Sequence, residues 1–220
     1  MTLSAVRESV QFGCGWKAPQ TWTNFDGSPT LRFEKIPVIG RFYTKNVSRF
    51  PSNVLYGDIV KGLPVASGTV ARLFASHVLE HLSYKDALAA IRNSYTLLKP
   101  GGLFRVIVPD LKSRAEKYVA AANQKSPTAA IQFLRSTMLG LDHRPRGLRG
   151  LLISAFGGSD HLWMWDEASL SAALRDAGFS EIRRCSYGDS GDPLFADVED
   201  FTRFVDGDIV ELAIECRRPL

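Results

Sequence analysis

The sequence predicts a doubly wound α/β fold with a mostly parallel sheet. Short apolar runs that end at turn residues alternate with stretches of helical spacing, a pattern typical of a parallel sheet covered on both faces. The chain has 220 residues, of which 45% are hydrophobic and 23% are charged, a balance typical of a globular domain. We therefore expect residues 1–220 to form a single domain.

The strands are predicted from apolar runs that stop at glycine, proline or acidic residues. They cover residues 10–12, 22–25, 54–56, 70–75, 103–108, 179–187 and 209–216. No helix is predicted between the last two strands, which favours an antiparallel strand at the edge of the sheet.

The helices are predicted from apolar residues at helical spacing. They cover residues 77–98, 112–122, 129–141 and 166–177, with a further helix between Pro37 and Pro51. Lys99-Pro100-Gly101-Gly102 ends the first long helix, and Gly178 suits the C-terminal cap of the last. Residues 111–160 have the weakest pattern, and we interpret them as an insertion on the substrate side of the sheet.

The charge and cysteine content argue against several classes of protein. The net charge of +4 is too small for nucleic-acid binding, which usually needs a concentrated basic patch. Cys14, Cys185 and Cys216 are far apart and have no metal-binding spacing, which favours a reducing compartment. No signal peptide or membrane-spanning apolar run is recognisable. We therefore expect a cytoplasmic protein.

A basic cluster lies in the stretch D-H-R-P-R-G-L-R-G, which contains Arg144, Arg146 and Arg149. Two interpretations stay open, because a block of like charge is ambiguous on its own. The cluster is either a solvated loop or a contact for an anionic substrate, a phosphate or a peripheral membrane surface.

Glycines and acids follow the predicted strands and would meet at one edge of the sheet. They are the turn Gly13-Cys14-Gly15, then Asp26, Asp58, Ser76-His77 and Asp110. In open α/β sheets, ligands bind beyond the carboxyl ends of the strands. Glycines let backbone N–H groups approach a carboxylate, and an acid after the second strand can accept two ribose hydroxyls. The set therefore suits a nucleoside with a charged tail.

The ordered motifs along the chain resemble those of the class I S-adenosylmethionine-dependent methyltransferases. They are F-G-C-G, F-D, G-D-I, A-S-H-V-L-E-H, L-L-K-P-G-G, V-P-D-L and L-R-D-A-G-F. The later H-x-W-M-W-D and G-D-S-x-D-P are similar to a small branch associated with cell-surface polysaccharide synthesis. The resemblance spans residues 9–218 and implies a Rossmann-like, seven-stranded methyltransferase fold with S-adenosyl-L-methionine as cofactor.

The resemblance also implies a cofactor site at four strand ends, formed by Gly13, Cys14, Gly15, Asp26, Asp58, Ile59, Ser76 and His77. The glycine turn would line the methionine moiety, and Asp26 would hold the ribose. Asp58 and Ile59 would meet the adenine, and Ser76 and His77 would form the floor of the pocket.

Two departures from the family pattern fall in the glycine turn. Gln11 stands where the family has an acid, and Lys17 stands where it has a third glycine. Gly15 and Asp26 are also too close in sequence for a full helix between the first two strands. We therefore expect a loop in place of the first helix.

Two candidate catalytic residues are His161 and Asp110. His161 precedes a predicted helix near the ligand edge, and histidine is the usual base near neutral pH. The alternative is that His161 packs or caps this helix beside Trp163 and Trp165. These tryptophans are either core residues or an aromatic face for a sugar.

The letters His77-Val-Leu-Glu80-His81 also fit the inverted zinc-peptidase motif H-x-x-E-H. That chemistry needs the whole motif on one helix and a third ligand. The predicted strand end at His77 and the K-P-G-G context explain the same letters without a metal. We therefore expect no metal site here and interpret Glu80 and His81 as a helix N-terminus.

Three functions follow as hypotheses. The first is methyl transfer, with O-methylation favoured, to a small-molecule or glycan acceptor. The second is a non-catalytic methyltransferase-like partner or scaffold subunit, which the departures at Gln11 and Lys17 motivate. The third is a nucleotide-sugar or dinucleotide enzyme, but its G-x-G-x-x-G fingerprint would end at Ala18, and Pro19 opposes the helix that the pattern should open.

Overall fold

The computed structural model describes residues 7–36, 48–142 and 160–220. Most of the helix predicted between Pro37 and Pro51 lies outside the described residues. The basic cluster of Arg144, Arg146 and Arg149 lies outside them as well.

The described residues form one large sheet and a small hairpin. The strands of the large sheet are β1 (Ser9–Phe12), β2 (Thr23–Asp26), β3 (Val54–Tyr56), β4 (Val70–Ser76), β5 (Leu98–Val108), β6 (Ser180–Arg184) and β9 (Leu212–Arg217). The hairpin pairs β7 (Val205–Asp206) with β8 (Ile209–Val210).

The large sheet has seven strands in the order β3-β2-β1-β4-β5-β9-β6. All neighbours pair in parallel except β9, which is antiparallel to both β5 and β6. The predicted seven-stranded, mostly parallel sheet is therefore confirmed. The antiparallel strand lies one position inside the edge, because β9 returns between β5 and β6.

The helices are α1 (Pro29–Glu34), α2 (Tyr84–Leu97), α3 (Leu111–Asn123), α4 (Ala129–Ser136) and α5 (Glu167–Asp176). Most of them begin at a side-chain cap. For example, Ser83 accepts a hydrogen bond from the backbone of Asp86 at the start of α2, and Asp166 and Ser169 form a capping box at the start of α5.

Two predicted helices are shorter in the structure. The helix predicted from His77 was wrong over residues 77–83, since His77 has a left-handed φ of 55° and Leu79–His81 forms a 3₁₀ turn. The helix predicted over 129–141 ends at Ser136, and Met138 then adopts a φ of 51°. Local spacing of apolar residues gave no signal for either backbone turn.

The predicted strand over 209–216 is divided at Glu211. This carboxylate accepts hydrogen bonds of 2.7 Å from both terminal nitrogens of Arg114 on α3. The ion pair lies at the point where the chain passes from the hairpin strand β8 into β9.

Each face of the sheet supports a separate core, because neighbouring strand residues point to opposite faces. Leu73 and Val106 belong to the larger core under α2 and α5. Phe74 and Ile107, the next residues along the same strands, belong to the smaller core on the other face.

Residues 185–204, here called the C-terminal cover, close the second face. This segment contains two short 3₁₀ helices, Pro193–Asp197 and Phe201–Arg203. Phe195, which is fully buried, packs against Trp22 from the loop between β1 and β2, with ring centroids 5.5 Å apart.

Arg105 of β5 anchors the C-terminal cover from below and is 1% exposed. Its guanidinium hydrogen-bonds Glu199 and Glu215 at 2.7 Å each, and Asp189 at 3.1 Å. It also lies over the ring of Phe195, 5.6 Å from the centroid. The cation therefore joins β5 to two residues of the C-terminal cover, Asp189 and Glu199, and to Glu215 on the neighbouring strand β9.

None of the helices in residues 7–36, 48–142 and 160–220 is long and apolar enough to cross a membrane. The three cysteines are free thiols, and Cys185 and Cys216 are buried.

Replacing Arg105 with Met should lower the free energy of unfolding by about 3–5 kcal/mol, because Glu199 would stay buried without its cation. Urea denaturation followed by circular dichroism measures this loss. The control is Arg135→Met, which removes an ion pair with Asp142 whose side chains are 65% and 62% exposed and should cost less than about 1 kcal/mol. Equal losses in the two variants would contradict the anchoring role of Arg105.

Candidate active site

A cleft of about 380 Å³ lies at the carboxyl ends of β1, β2, β3 and β4. The residues that line it come from the turns that follow these strands: Phe12, Gly13, Gly15, Asp26, Gly27, Ser28, Gly57, Asp58, Ile59, His77, Val78, His81 and Leu82. Parallel strands that point the same way bring these turns to one edge of the sheet, where the sequence predicts ligand binding.

The first turn depends on glycine at position 13. Gly13 has a φ of 66°, and a Cβ added there would lie 2.2 Å from Cγ2 of Val78. The absence of a side chain therefore lets the β1 turn approach the turn after β4. Gly15 also has a left-handed φ, of 53°, and a Cβ there would meet no atom of the described residues within 4 Å.

Asp26 closes the cleft at the end of β2 and is 8% exposed. One carboxylate oxygen accepts from the backbone N–H of Gly15 at 3.0 Å, and the other accepts from Ser28 at 2.8 Å. A carboxylate has about four acceptor sites, so each oxygen keeps capacity for a ligand hydroxyl.

Asp58 and Ile59 line the cleft beyond β3. Oδ1 of Asp58 accepts from the backbone of Val60 at 3.0 Å, and Oδ2 lies 3.3 Å from the Lys61 ammonium. Ile59 is 5% exposed and belongs to the larger core. This end of the cleft therefore combines an acid with an apolar wall.

Cys14 and Ser76 lie next to the cleft lining and do not line the cleft themselves. The Cys14 backbone N–H donates to Phe25 at 3.1 Å, which pairs the turn with β2. The Ser76 hydroxyl oxygen is buried and has no hydrogen-bond partner among the residues that the structure describes. It is a polar atom at the strand end whose bonding is incomplete.

The loop between β1 and β2 contains no helix, as predicted, and the two unusual residues hold it in place. Nε2 of Gln11 donates to the backbone of Lys17 at 2.7 Å and to Asn24 at 2.6 Å. The Lys17 ammonium donates to the backbone carbonyl of Glu199 in the C-terminal cover. The departures at Gln11 and Lys17 therefore have structural roles.

His77 lines the cleft and also contacts the buried carboxylate of Glu80. Its Nε2 lies 3.0 Å from the carbonyl of Arg203, and its Nδ1 lies 3.2 Å from Oε1 of Glu80. Burial lowers the pKa of His77, but the close, negatively charged carboxylate of Glu80 outweighs it, so the pKa is raised above its ordinary value.

His81 and His161 meet at the wall of the cleft. Their ring centroids are 5.1 Å apart in an edge-on arrangement. The backbone carbonyl of Glu80 accepts from Leu162 at 2.7 Å and from Trp163 at 3.2 Å. This pairing fixes the segment that carries His161 against the turn that carries His81.

His161 is 8% exposed, and its pKa is lowered. Burial is the largest cause, and the nearby His81 and Arg114 lower it further, while Glu80 opposes the shift. The ring is therefore held neutral near neutral pH. His161 does not line the cleft directly, but it contacts His81, which does.

Asp110 lies at the N-terminus of α3 and is 1% exposed. Its carboxylate accepts from the Lys112 backbone at 3.0 Å, from the Ser113 hydroxyl at 2.9 Å and from Arg184 at 3.0 Å. It is not among the described residues that line the cleft. The structure gives Asp110 a capping and ion-pairing position, and a catalytic role stays a sequence-based prediction.

The structure brings six of the eight predicted cofactor residues into the cleft lining: Gly13, Gly15, Asp26, Asp58, Ile59 and His77. The sequence interpretation did not place His81 in this group. The sequence analysis interpreted His81 as part of a helix N-terminus, and its place in the cleft follows from the left-handed backbone at His77 and the 3₁₀ turn after it.

A family model described as a methyltransferase domain matches residues 11–106, which include the strand ends of the cleft. The chain is an S-adenosylmethionine-dependent methyltransferase. No curated protein sequence matches the chain.

Several solved structures are similar to this methyltransferase at low identity. An S-adenosylmethionine-dependent methyltransferase from Thermotoga maritima has 16% identity, a TM-score of 0.49 and coverage of 99% of this chain and 84% of its own. One from Archaeoglobus fulgidus has 12% identity, a TM-score of 0.49 and coverage of 97% and 87%. A Haloferax volcanii protein in complex with the Trm112 methyltransferase activator has 18% identity, a TM-score of 0.47 and coverage of 98% and 85%.

The cofactor is S-adenosylmethionine, and the residues of the cleft fit it. The spare acceptor sites of Asp26 suit two hydroxyls, the apolar wall at Ile59 suits a flat base, and the buried hydroxyl of Ser76 lacks a partner. These are the groups that a nucleoside with a polar tail needs.

The methyltransferase should react slowly with iodoacetamide at about pH 8, since only the thiolate is nucleophilic. Burial and the charge of Asp26 raise the pKa of Cys14 to about 12. Burial likewise raises the pKa of Cys185 to about 12 and that of Cys216 well above its ordinary value. Mass spectrometry should find little alkylation of the native protein and full alkylation after unfolding in guanidinium. A native thiol that reacts as fast as free cysteine would contradict the assignment.

Proposed function

We propose that this methyltransferase transfers the methyl group to a hydroxyl of a small or carbohydrate-like acceptor. The observation that supports an oxygen acceptor is the pair of imidazoles at the cleft wall, His81 and His161. A hydroxyl must lose its proton to become an effective nucleophile, and groups that accept a proton or polarise the oxygen contribute at that step.

The cofactor supplies an electrophilic methyl group on a sulfonium, and the protein positions the acceptor in line with it. In this proposal Asp26 holds the ribose, and Asp58 with Ile59 contacts the adenine. The glycine turn leaves room for the methionine moiety, with Ser76 and His77 below it. The acceptor would enter from the side where His81 lines the cleft.

The aromatic residues after His161 favour a carbohydrate-like acceptor. Trp163 is 40% exposed and Tyr84 is 45% exposed, and their ring centroids are 4.7 Å apart. Exposed aromatic rings of this kind offer an apolar face with polar edges. Trp165, by contrast, is 1% exposed and belongs to the core.

Residues 111–160 form the acceptor side of the enzyme in this proposal. Within the described part, α3 and α4 lie beside the segment that carries His161, whose backbone N–H donates to Met138 at 3.3 Å. A role in cell-surface polysaccharide synthesis is proposed from the sequence motifs, and a cytoplasmic location from the cysteine content. The free thiols support a reducing compartment.

The second candidate function is a non-catalytic partner subunit. It is motivated by Gln11 and Lys17, whose side chains serve the loop and the C-terminal cover. Cofactor binding separates the two candidates, since a partner subunit of this kind would bind the cofactor weakly or not at all.

Replacing Asp26 with Asn should weaken S-adenosylhomocysteine binding by about 10–100-fold, because hydrogen bonds to a charged group contribute about 1.5–3 kcal/mol. Calorimetric titration measures the dissociation constant. The matched control is Asp208→Asn, whose side chain is 77% exposed in its pair with Lys117, and it should bind as the unchanged protein does. Unchanged binding in Asp26→Asn would refute the ribose assignment, and no binding by the unchanged protein would favour the partner subunit.

An acceptor screen with tritiated S-adenosylmethionine tests the acceptor class. Labelled methyl should appear on hydroxyl-bearing sugars or glycolipid precursors rather than on amines. With such an acceptor, Trp163→Ala should raise KM by about tenfold and leave kcat nearly unchanged, since it removes binding common to ground and transition states. Transfer to amines alone, or an unchanged KM, would count against a carbohydrate-like acceptor.

A further inference from the structure

Glu80 is a buried carboxylate whose bonding is incomplete. The residue is 0% exposed, and neither side-chain oxygen has a hydrogen-bond partner of acceptable geometry among residues 7–36, 48–142 and 160–220. His77 approaches one oxygen, with Nδ1 at 3.2 Å from Oε1, whereas the other oxygen has no donor in the part of the chain that the structure describes. A buried carboxylate is costly unless it is paired or binds a metal.

His161 presents a second buried atom without a partner. Its Nδ1 is buried and has no hydrogen-bond partner within the described residues. A neutral imidazole has a proton on one ring nitrogen and a lone pair on the other, so the unpartnered Nδ1 of His161 can present a lone pair to a bound ion.

His81 is oriented in the complementary way. Its Nδ1 lies 3.2 Å from the backbone carbonyl of Asp160, which holds the proton on that nitrogen and leaves the lone pair on Nε2. A carbonyl that orients the ring in this way is the usual outer-shell partner of a metal-binding histidine.

The ligand atoms offered by Glu80, His81 and His161 all lie within 4.8 Å of one another. Ligands of one zinc ion lie about 2.0–2.2 Å from the metal, so a small inward movement of these side chains would bring all three into its coordination sphere. We propose that Glu80, His81 and His161 bind a divalent transition-metal ion of the zinc type.

This ligand set differs from the one that the H-x-x-E-H motif suggests. In that motif both histidines lie on one helix, whereas here His77 has a left-handed backbone and contacts Glu80 from outside the group. The third ligand, His161, comes from a segment far along the chain. Two imidazoles and one carboxylate leave a coordination position open, as in catalytic zinc sites.

The ion would lie at the wall of the cofactor cleft, because His81 belongs to both the cleft and the ligand group. This consequence rests on the proposed function: the open position would hold the acceptor hydroxyl beside the methyl group and lower its pKa, so that its proton leaves to solvent. The bond from this oxygen to the methyl carbon would form as the bond from that carbon to sulfur breaks, with S-adenosylhomocysteine as the leaving group. His161 would then act as a ligand and not as the general base.

Cobalt binding tests the site directly, since tetrahedral Co²⁺ substituted for zinc absorbs visible light. The full chain is treated with a chelator, dialysed and titrated with CoCl₂. We expect one equivalent of Co²⁺ to produce a visible band that ZnCl₂ removes. His161→Ala and Glu80→Gln should each weaken Co²⁺ binding by more than about 100-fold, because even outer-shell changes cost about 10–100-fold.

The matched control is Glu116→Gln on α3, whose side chain is 67% exposed and which should bind Co²⁺ like the unchanged protein. Far-ultraviolet circular dichroism and a thermal melt establish that each variant is folded. Two ligand variants are used so that, if one of them misfolds, the other still tests the metal site. The absence of a Co²⁺ band, or a band that persists unchanged in a folded ligand variant, would overturn the site.

The metal site and the proposed function can fail separately. Co²⁺ binding together with methyl transfer to amines alone would leave the site standing and remove the hydroxyl acceptor. Transfer to a hydroxyl at an unchanged rate after chelation would overturn the role of the ion in the reaction.

Discussion

The buried guanidinium of Arg105 is the interaction on which the arrangement of this methyltransferase depends. It lies under the C-terminal cover and pairs with Glu199, Glu215 and Asp189. A right-handed connection from β1 to β2 must cross the face opposite α2, and the chain has only a short loop there. The C-terminal cover fills this space, with Phe195 against Trp22. An ion pair therefore stabilises a face that helices cover in an ordinary doubly wound sheet.

The same network reaches the cofactor cleft through the backbone of Glu199. Its side chain binds Arg105, while its carbonyl accepts from Lys17 at the end of the glycine turn. The turn holds Asp26 through the N–H of Gly15. The position of the Asp26 carboxylate thus depends on contacts between residues that are far apart in sequence, and the contact from Lys17 to Glu199 takes the place of the missing third glycine.

Local patterns predicted the elements well where one physical signal dominated. The strand that ends at Asp26 and the loop before it followed from apolar runs and from the short spacing after Gly15. The helix after Asp166 followed from its cap and from Gly178. The prediction of a helix from His77 failed, because apolar spacing does not report a left-handed residue or the preference of Ser83 for an N-cap.

The sequence by itself determined the class of fold, the order of the strand ends and six residues of the cleft, because each strand end is a local feature and a parallel sheet aligns them. Only the tertiary structure decided the surroundings of Glu80. Its two oxygens are buried without hydrogen-bond partners in the described part of the chain, and His161 lies near it from a distant segment. Whether a carboxylate and two imidazoles converge depends on how separate turns pack, and no spacing along the chain contains that information.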